Sequence, residues 1–305
     1  MKIYLPCSTK QQIGGGITFL NNFVKGGKGK YEIVNTWQEC DIILITSVTI
    51  TERAEMEEAK KAGKKIVLRV DNMPKDSRNR GTAFSRMRDF GKMADWIVFQ
   101  SEWAKNYVGW WLSKKHKALA MRDEPNADEQ LGLDKYEPKN SVIYNGVDYD
   151  YFYHKDNPKE RKSNVYLFIQ YNRDENKRFP EAAYYFYQKS KEQEDIEFWC
   201  IGNFTPELVH NNFDFFNDED ITYIEPIADR QALGDVMRSA KYLLFPAYAD
   251  ASPNTVAEAI VCGCEVLLAN DCGGTKEVID KHTKGKYTIQ DMANEYLTIF
   301  NKIIK

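Results

Sequence analysis

No run in this chain approaches the ~20 consecutive apolar residues that a membrane-spanning helix needs. The chain is not basic either: 42 Lys and Arg stand against 45 Asp and Glu, a formal net charge of −3. A bulk electrostatic signal for nucleic acid is therefore missing, and no nucleic-acid partner is expected. An anionic ligand would have to be met by a local cluster of cations. Histidine is scarce, with four isolated residues, and the six cysteines are scattered at 7, 40, 200, 262, 264 and 272. Most of these cysteines lie in apolar segments, where Cys behaves as a small hydrophobe. The Cys262/Cys264 pair is too tight for a zinc knuckle, so neither a structural metal nor a disulfide framework is expected. Neither GxGxxG nor a Walker A loop occurs, which counts against nicotinamide-dependent oxidoreductases and P-loop enzymes. No secretory pattern precedes Gly14. The expectation is a soluble cytoplasmic protein, with peripheral membrane contact and oligomeric state left open.

At 305 residues, 43% hydrophobic and 13% aromatic, the chain suits two domains of about 150 residues with a core in each. Short apolar runs alternate with helical composition. In the first half these runs are 31–34, 41–46, 64–70, 96–100 and 141–144, after a first strand over 2–7. In the second half they are 164–170, 197–202, 221–226, 242–246 and 265–269. Continuous apolar strands separated by helices predict parallel sheets covered on both faces. Ligands of such sheets sit beyond the carboxyl ends of the strands.

Several segments fall on those ends. Gly14, Gly15 and Gly16 follow the first strand, as a place of close backbone approach or simply a tight turn. Arg69 and Asp71 follow another strand, as rim residues or as a local ion pair. Lys75, Arg78, Arg80, Arg86 and Arg88 form a basic cluster, either a solvated face or a loop near an anionic acceptor. In the second half Arg173, Lys177 and Arg178 follow the strand 164–170, where cations could neutralise a diphosphate. Gly202 ends the next strand. Two DxD triplets, at 148–150 and 218–220, carry only a weak metal signal.

The richest stretch is 245–277. Ser252 reads as a helix N-cap with Pro253 at the first helical position. The amides of Asn254 and Thr255 then lie at the positive helix end, open to a phosphate or sugar oxygen. Glu258 shares their face, and Asp250 and Glu258 bracket seven residues. Gly273 and Gly274 form another rim loop. A final helix is expected from 291 to 304.

Together these residues resemble the retaining GT-B glycosyltransferases of family 4. The matches are SVIYNGVD (141–148), NRDENKR (172–178), the Asp250-x7-Glu258 spacing, and the run AEAIVCGCEVLLANDCGGTKEVI from Ala257. They cover the hinge and most of the second half; in the first half only the glycine loop and strand order are similar. The resemblance implies an α/β fold of two Rossmann-like doubly wound domains facing across a cleft. Residues 1–147 would form an acceptor domain and 148–290 a donor domain. The helix over 291–305 would pack back towards the first domain, as an abbreviated form of the family's crossover.

The implied function is transfer of a hexose from a UDP- or GDP-linked sugar to a hydroxyl acceptor, with retention, the acceptor being a glycan, glycoconjugate or lipid-linked molecule. Arg173 and Lys177 would hold and stabilise the leaving diphosphate in place of a divalent metal, with Arg178 beside them and no cofactor. Ser252, Asn254 and Thr255 would contact phosphate or sugar, with Gly202 on the same rim. Glu258 would bind the ribose hydroxyls, and Asp250 would face the donor hexose. Gly15, Gly16 and Asp71 would serve the donor sugar or acceptor from the first domain. Two departures stand out: Asp250 is one methylene shorter than the family's usual Glu, and Glu265 stands where Pro is common. A GT-B protein that binds a sugar nucleotide without transferring it remains the alternative.

Overall fold

The computed structural model describes residues 1–6, 14–71, 81–113, 139–154, 164–171, 175–204 and 221–305; the side chains of 81–84, 109–113 and 175 are not included. Arg173, the cations at 75, 78 and 80, Cys7 and the acidic triplet 218–220 lie outside the described residues. The chain divides into two compact units. The first comprises 1–11, 15–146 and 287–305, and the second 12–14 and 147–286.

The first unit is a six-stranded, all-parallel sheet. Its strands are β1 (Lys2–Tyr4), β2 (Glu32–Val34), β3 (Ile42–Ile45), β4 (Lys65–Arg69), β5 (Trp96–Phe99) and β6 (Lys139–Val142), in the order β2-β1-β3-β4-β5-β6. Alternation along the strands feeds two cores. Ile43, Ile45, Ile66 and Leu68 point to one face. That face is covered by α2 (Arg53–Lys61), α3 (Gly81–Met93) and α4 (Glu102–Ser113), through Met56, Met87, Phe90 and Tyr107. Ile42, Leu44 and Val67 point to the other, against Phe19 and Phe23 of α1 (Gly15–Gly26). Because both faces are buried, every residue of β3 is apolar.

The same second face receives the last helix of the chain, Ile289–Ile304, through Met292, Tyr296, Ile299 and Phe300. Thr288 and Asp291 form a capping box at its start. Phe23 meets Tyr31 in a stack at 4.9 Å and Tyr296 edge-on at 5.3 Å. Phe23, which is fully buried, contributes roughly 1.5–3 kcal/mol by that burial. The helices approach closely where Gly26 lies against the carbonyl of Ile289: a Cβ added there would stand 2.2 Å from that oxygen. Gly146 meets the carbonyl of Thr288 in the same way, at 2.3 Å. Asn22 Nδ2 donates to the Gly146 carbonyl at 3.2 Å, which fixes the end of the Asn145-Gly146 turn.

Arg69 is a core residue rather than a rim ligand. It is buried, with its guanidinium 3.8 Å above the Phe19 ring. Its Nη2 donates to Gln100 Oε1 at 2.7 Å and Asn145 Oδ1 at 3.1 Å. Burial lowers its pKa, opposed by Tyr296 and Asp71. Arg86 is likewise engaged, donating to the carbonyls of Val48 at 2.8 Å and Thr51 at 2.5 Å.

The second unit holds five parallel strands: β7 (Val165–Gln170), β8 (Glu197–Gly202), β9 (Ile221–Ile224), β10 (Tyr242–Leu244) and β11 (Glu265–Leu267). Their order, β11-β10-β7-β8-β9, reverses direction between β7 and β10. One face packs on α5 (Phe179–Ser190), where Phe168 and Phe198 meet Phe179 and Phe186. Three further helices are among the described residues of this unit: α6 (Arg230–Ser239), α7 (Asn254–Val261) and α8 (Thr275–Lys284). The C-terminal helix is α9. Both strand orders contain a topological switch point, between β1 and β3 in the first sheet and between β7 and β10 in the second.

Most expected elements are present within two residues of their sequence-derived bounds. The main shifts are β1, which ends at Tyr4 where a strand to residue 7 is expected, β6, which starts two residues early, and α1, which takes in Gly15 and Gly16 as its first turn. Ser252 does not cap α7: the helix starts at Asn254, with Pro253 in the cap position.

The close approach of α1 and α9 leads to a stability prediction. Gly26→Ala should cost about 1–3 kcal/mol through overpacking against rigid backbone. Gly16→Ala in the same helix has nothing within 4 Å of the added methyl and should stay within about 0.5 kcal/mol of the parent. Urea unfolding of the two variants checks this; equal midpoints would refute the packing account.

Candidate functional site

The switch point of the second sheet gathers most of the sequence-derived candidates. Beyond β7 the chain makes a 3-10 turn over Glu175–Lys177. The next residue, Arg178, has φ 54° and passes into α5. Beyond β10 the chain runs through 245–253 into α7. These two loops are joined at backbone and side chain. The Tyr248 amide donates to the Asn176 carbonyl at 2.9 Å. The Lys177 ammonium donates to Asp250 Oδ2 at 2.6 Å and lies 4.9 Å from the Phe245 ring centroid. Both members of this pair are about one-fifth exposed, so solvent reaches them without fully screening them. Arg178, by contrast, directs its guanidinium to Glu181 at 2.6 Å, an exposed pair along its own helix.

Asp250 is held by its backbone as well. It forms a parallel bridge with Gly273, and the Gly274 amide donates to the Asp250 carbonyl at 2.8 Å. The Ala249 amide donates to the Cys272 carbonyl at 3.0 Å. The loops beyond β10 and β11 thus prolong the sheet past its named strands. Gly273 has φ +125°, and a Cβ there would lie 2.9 Å from the Asp250 carbonyl oxygen. That is the physical need for glycine in this second glycine loop. Ala249 sits at φ 53°, a left-handed conformation costly to a residue with a Cβ. The strain falls on the residue immediately before Asp250.

The start of α7 lacks a side-chain cap, as do those of α2, α5 and α8, whereas α6 and α9 have one. Asp229 caps α6 by accepting from the Ala232 amide at 2.9 Å. The cap residue of α7, Pro253, provides no side-chain hydrogen bond. Asn254 and Thr255 form the first turn, behind a buried Ser252. One turn further along the same face stands Glu258, 3% exposed.

Glu258 has a partner that the sequence reading did not single out. Arg230, the first residue of α6, bonds through Nη2 to Glu258 Oε1, and its guanidinium lies 4.5 Å from the Phe152 ring centroid. Burial pushes the Glu258 carboxyl above the usual range, Arg230 pulls it down, and Asp148 adds to the upward push. Tyr171, just beyond β7, donates to the Ile227 carbonyl at 3.3 Å; burial and the Glu258 charge push its phenol up to about 12. Asp148 is also a turn residue: its Oδ1 accepts from the Asp150 amide at 3.2 Å and its carbonyl from Phe152 at 3.0 Å. The only sequence sign of Arg230 was its place just after the loop beyond β9, at a helix start.

Gly202 closes β8 with φ +140°, and a Cβ there would lie 1.7 Å from the Gln170 carbonyl oxygen. Its role in the described structure is this close approach of β7 and β8. Gly15 and Gly16 lie in the first unit, exposed at the start of α1 beyond β1. Asp71 lies just past β4, partly buried, with its charge acting on Arg69. The structure therefore brings together Lys177, Asp250 and Ser252 with the start of α7. Glu258 and Arg230 follow on the same unit, and Gly15, Gly16 and Asp71 belong to the other.

Among the described residues, no helix is long and apolar enough to cross a membrane. No curated protein matches the chain significantly. Residues 166–304 match the family model described as "Glycosyl transferases group 1". Among solved structures, the chain is similar to Anabaena Alr3699/HepE in complex with UDP, with a TM-score of 0.63 and 13% identity over 99% of this chain and 89% of that one. It is similar to AviGT4, a glycosyltransferase involved in avilamycin A biosynthesis, with a TM-score of 0.60 and 11% identity over 99% and 98% of the two chains. The sucrose-phosphate synthase of Thermosynechococcus elongatus gives a TM-score of 0.58 and 11% identity over 99% and 96%. The fold is the two-Rossmann-domain architecture of GT-B glycosyltransferases, and its second half carries the sequence pattern of glycosyl transferases group 1.

Proposed function

We propose that this chain is a retaining glycosyltransferase that moves a hexose from a UDP- or GDP-linked sugar to a hydroxyl acceptor on a glycan, glycoconjugate or lipid-linked molecule. The observation that carries the reading is the junction of Lys177 and Asp250, 2.6 Å apart, at the switch point beside the start of α7. A cation, a carboxylate and a helix start without a side-chain cap make a setting suited to a diphosphate bearing a sugar. The group 1 pattern over 166–304 and the likeness to a UDP-bound structure support the same reading.

In this reading Arg173 and Lys177 neutralise the charge that develops on the leaving diphosphate, the work a metal ion does in other transferases. The amides of Asn254 and Thr255 receive phosphate or sugar oxygens. Glu258 accepts hydrogen bonds from the ribose hydroxyls. Asp250 orients the donor hexose, and Gly15, Gly16 and Asp71 serve the donor sugar or acceptor. Attack comes from the face of the leaving group through an oxocarbenium-like state, and the departing phosphate oxygen takes the acceptor proton. The nucleotide sugar is a substrate, and the reaction needs no cofactor.

Release of nucleoside diphosphate from a panel of UDP- and GDP-sugars tests the activity, with turnover expected to be unchanged by EDTA. The anomeric configuration of the product tests retention. Lys177→Ala should lower kcat about 10²–10³-fold, the scale of losing one transition-state charge partner. Full turnover in a Lys177→Ala, Arg173→Ala double variant would overturn the phosphate assignment. Binding without release of nucleoside diphosphate from any donor would favour the non-transferring alternative.

The Lys177–Asp250 pair yields a less obvious expectation. Asp250→Asn removes the carboxylate that competes with the diphosphate for Lys177, and with it a nearby negative charge. Nucleoside diphosphate should then bind several-fold more tightly, while sugar transfer falls at least tenfold. Calorimetric titration with UDP and GDP, beside steady-state turnover, checks both halves. A parallel loss of binding and turnover would mean that Asp250 supports the site structurally instead.

A further inference from the structure

We infer that Arg230 is a positioning residue for the nucleoside, holding Glu258 as an ionised, oriented acceptor for a vicinal diol. This rests on the reading of the second unit as the site of a nucleoside diphosphate and concerns how that site recognises ribose. Three observations carry it.

The first is that Glu258 is 4% exposed in its side chain, whereas Arg230 is 28% exposed. The acid is taken out of water and the cation stands nearer to it. A buried carboxylate without a counter-charge tends to take up a proton. A neutral carboxyl group is a poorer acceptor for two hydroxyls than a carboxylate, each of whose oxygens offers two acceptor sites. Arg230 engages Oε1; no described residue donates to Oε2, which leaves one oxygen for a ligand.

The second observation is the placing of Arg230 on its own helix. It is the first residue of α6, behind the Asp229 cap. A cation at a helix N-terminus is on the wrong end of the macrodipole. The helix gains nothing from that charge, and its gain lies in the contact with Glu258. The Phe152 ring under the guanidinium holds the side chain to this direction.

The third is the balance of charge around Glu258. Among the described residues, the groups acting on it are Arg230 from α6, Asp148 from the turn beyond β6, and Tyr171 from the loop beyond β7. Asp148 is a second acid, and Tyr171 is neutral well above neutral pH. Arg230 is the cation among these groups, so the ionisation of Glu258 depends on it. Burial and Asp148 both act upward on the carboxyl, and Arg230 acts downward. Without Arg230, protonation moves to higher pH, and the diol contact weakens as pH falls.

The test compares UDP and GDP with their 2′-deoxy counterparts by calorimetric titration from pH 6 to 9. The ratio of deoxy to ribo dissociation constants cancels the titration of the diphosphate itself. The parent should show a ratio of about tenfold or more, the scale of a hydrogen bond to a charged group, and a flat profile. Glu258→Gln should bring the ratio near one at every pH. Arg230→Gln should keep the ratio at high pH and lose it as pH falls, and Arg230→Lys should restore the flat profile at somewhat weaker affinity. Phe152→Leu, which loosens the guanidinium without removing it, should bend the profile the same way by less, and keeps the test open if Arg230→Gln does not fold. A parent ratio that survives unchanged at every pH in Arg230→Gln, or in Phe152→Leu where Arg230→Gln fails to fold, overturns this inference alone. A parent that binds none of the four nucleotides overturns the underlying reading as well.

Discussion

A parallel strand cannot return to its neighbour through a tight turn. The chain must cross the full length of the sheet before the next strand begins. Every carboxyl end therefore emerges on one rim, and every connection on that rim leads into a helix or loop above it. Where the strand order reverses, consecutive crossovers go to opposite faces and leave a gap between their loops. In the second sheet that gap falls between β7 and β10. Lys177 comes from one bordering loop and Asp250 from the other, and they meet although 73 residues separate them in sequence. The constraint that orders the sheet thus also determines which distant side chains can share a ligand.

The residues at this gap are held by backbone as much as by side chains. The Asp250–Gly273 bridge carries the sheet's hydrogen-bond pattern into the loops. Gly273 and Gly202 each occupy a place where a methyl group would collide with a carbonyl oxygen. Ala249 accepts an unfavourable backbone angle next to Asp250. Side chains on such a loop lose little further freedom when a ligand arrives, which favours binding that is set in advance. The same logic governs the first unit, where Arg69 is buried among Gln100, Asn145 and Phe19. A buried cation needs partners: Arg69 Nη2 has two acceptors and the guanidinium lies over a ring, while its buried Nε has no hydrogen-bond partner among the described residues. Arg69 is the last residue of β4, and its partners lie just past β5, in the turn before the second unit and on α1, so one side chain ties four segments together.

Sequence legibility followed burial. The strand Ile42–Ile45 is evident because both of its faces are covered, which makes every position apolar. Lys139–Val142 was placed two residues late because its first two residues, Lys139 and Asn140, carry no apolar signal. The helix Thr275–Lys284 is not evident in the sequence, since its buried residues are Thr275, Val278 and His282 and apart from Ile279 the rest is polar. Within the site, Lys177, Asp250 and Glu258 were legible by residue type and position relative to strand ends. Arg230 was not, because a lone arginine at a helix start looks solvated until its partner 28 residues away is brought beside it. Arg178 shows the reverse. It looked like a rim cation, but a left-handed backbone turn directs it along its own helix to Glu181.

Residues 15–146 and 287–305 belong to the same unit. The second unit departs after Gly146 and returns at Tyr287. Gly146 lies against the Thr288 carbonyl, and within the second unit the Lys286 ammonium sits 4.4 Å from the ring centroid of Tyr149. The outgoing and returning segments are therefore side by side at both ends of the passage. In topological terms residues 147–286 are a cassette spliced into one continuous host. A cassette with adjacent ends can be exchanged, or diverge, without re-threading the sheet that carries it. The part of the chain that holds Lys177, Asp250 and Glu258 is thus free to change its chemistry while α1 and α9 keep their packing.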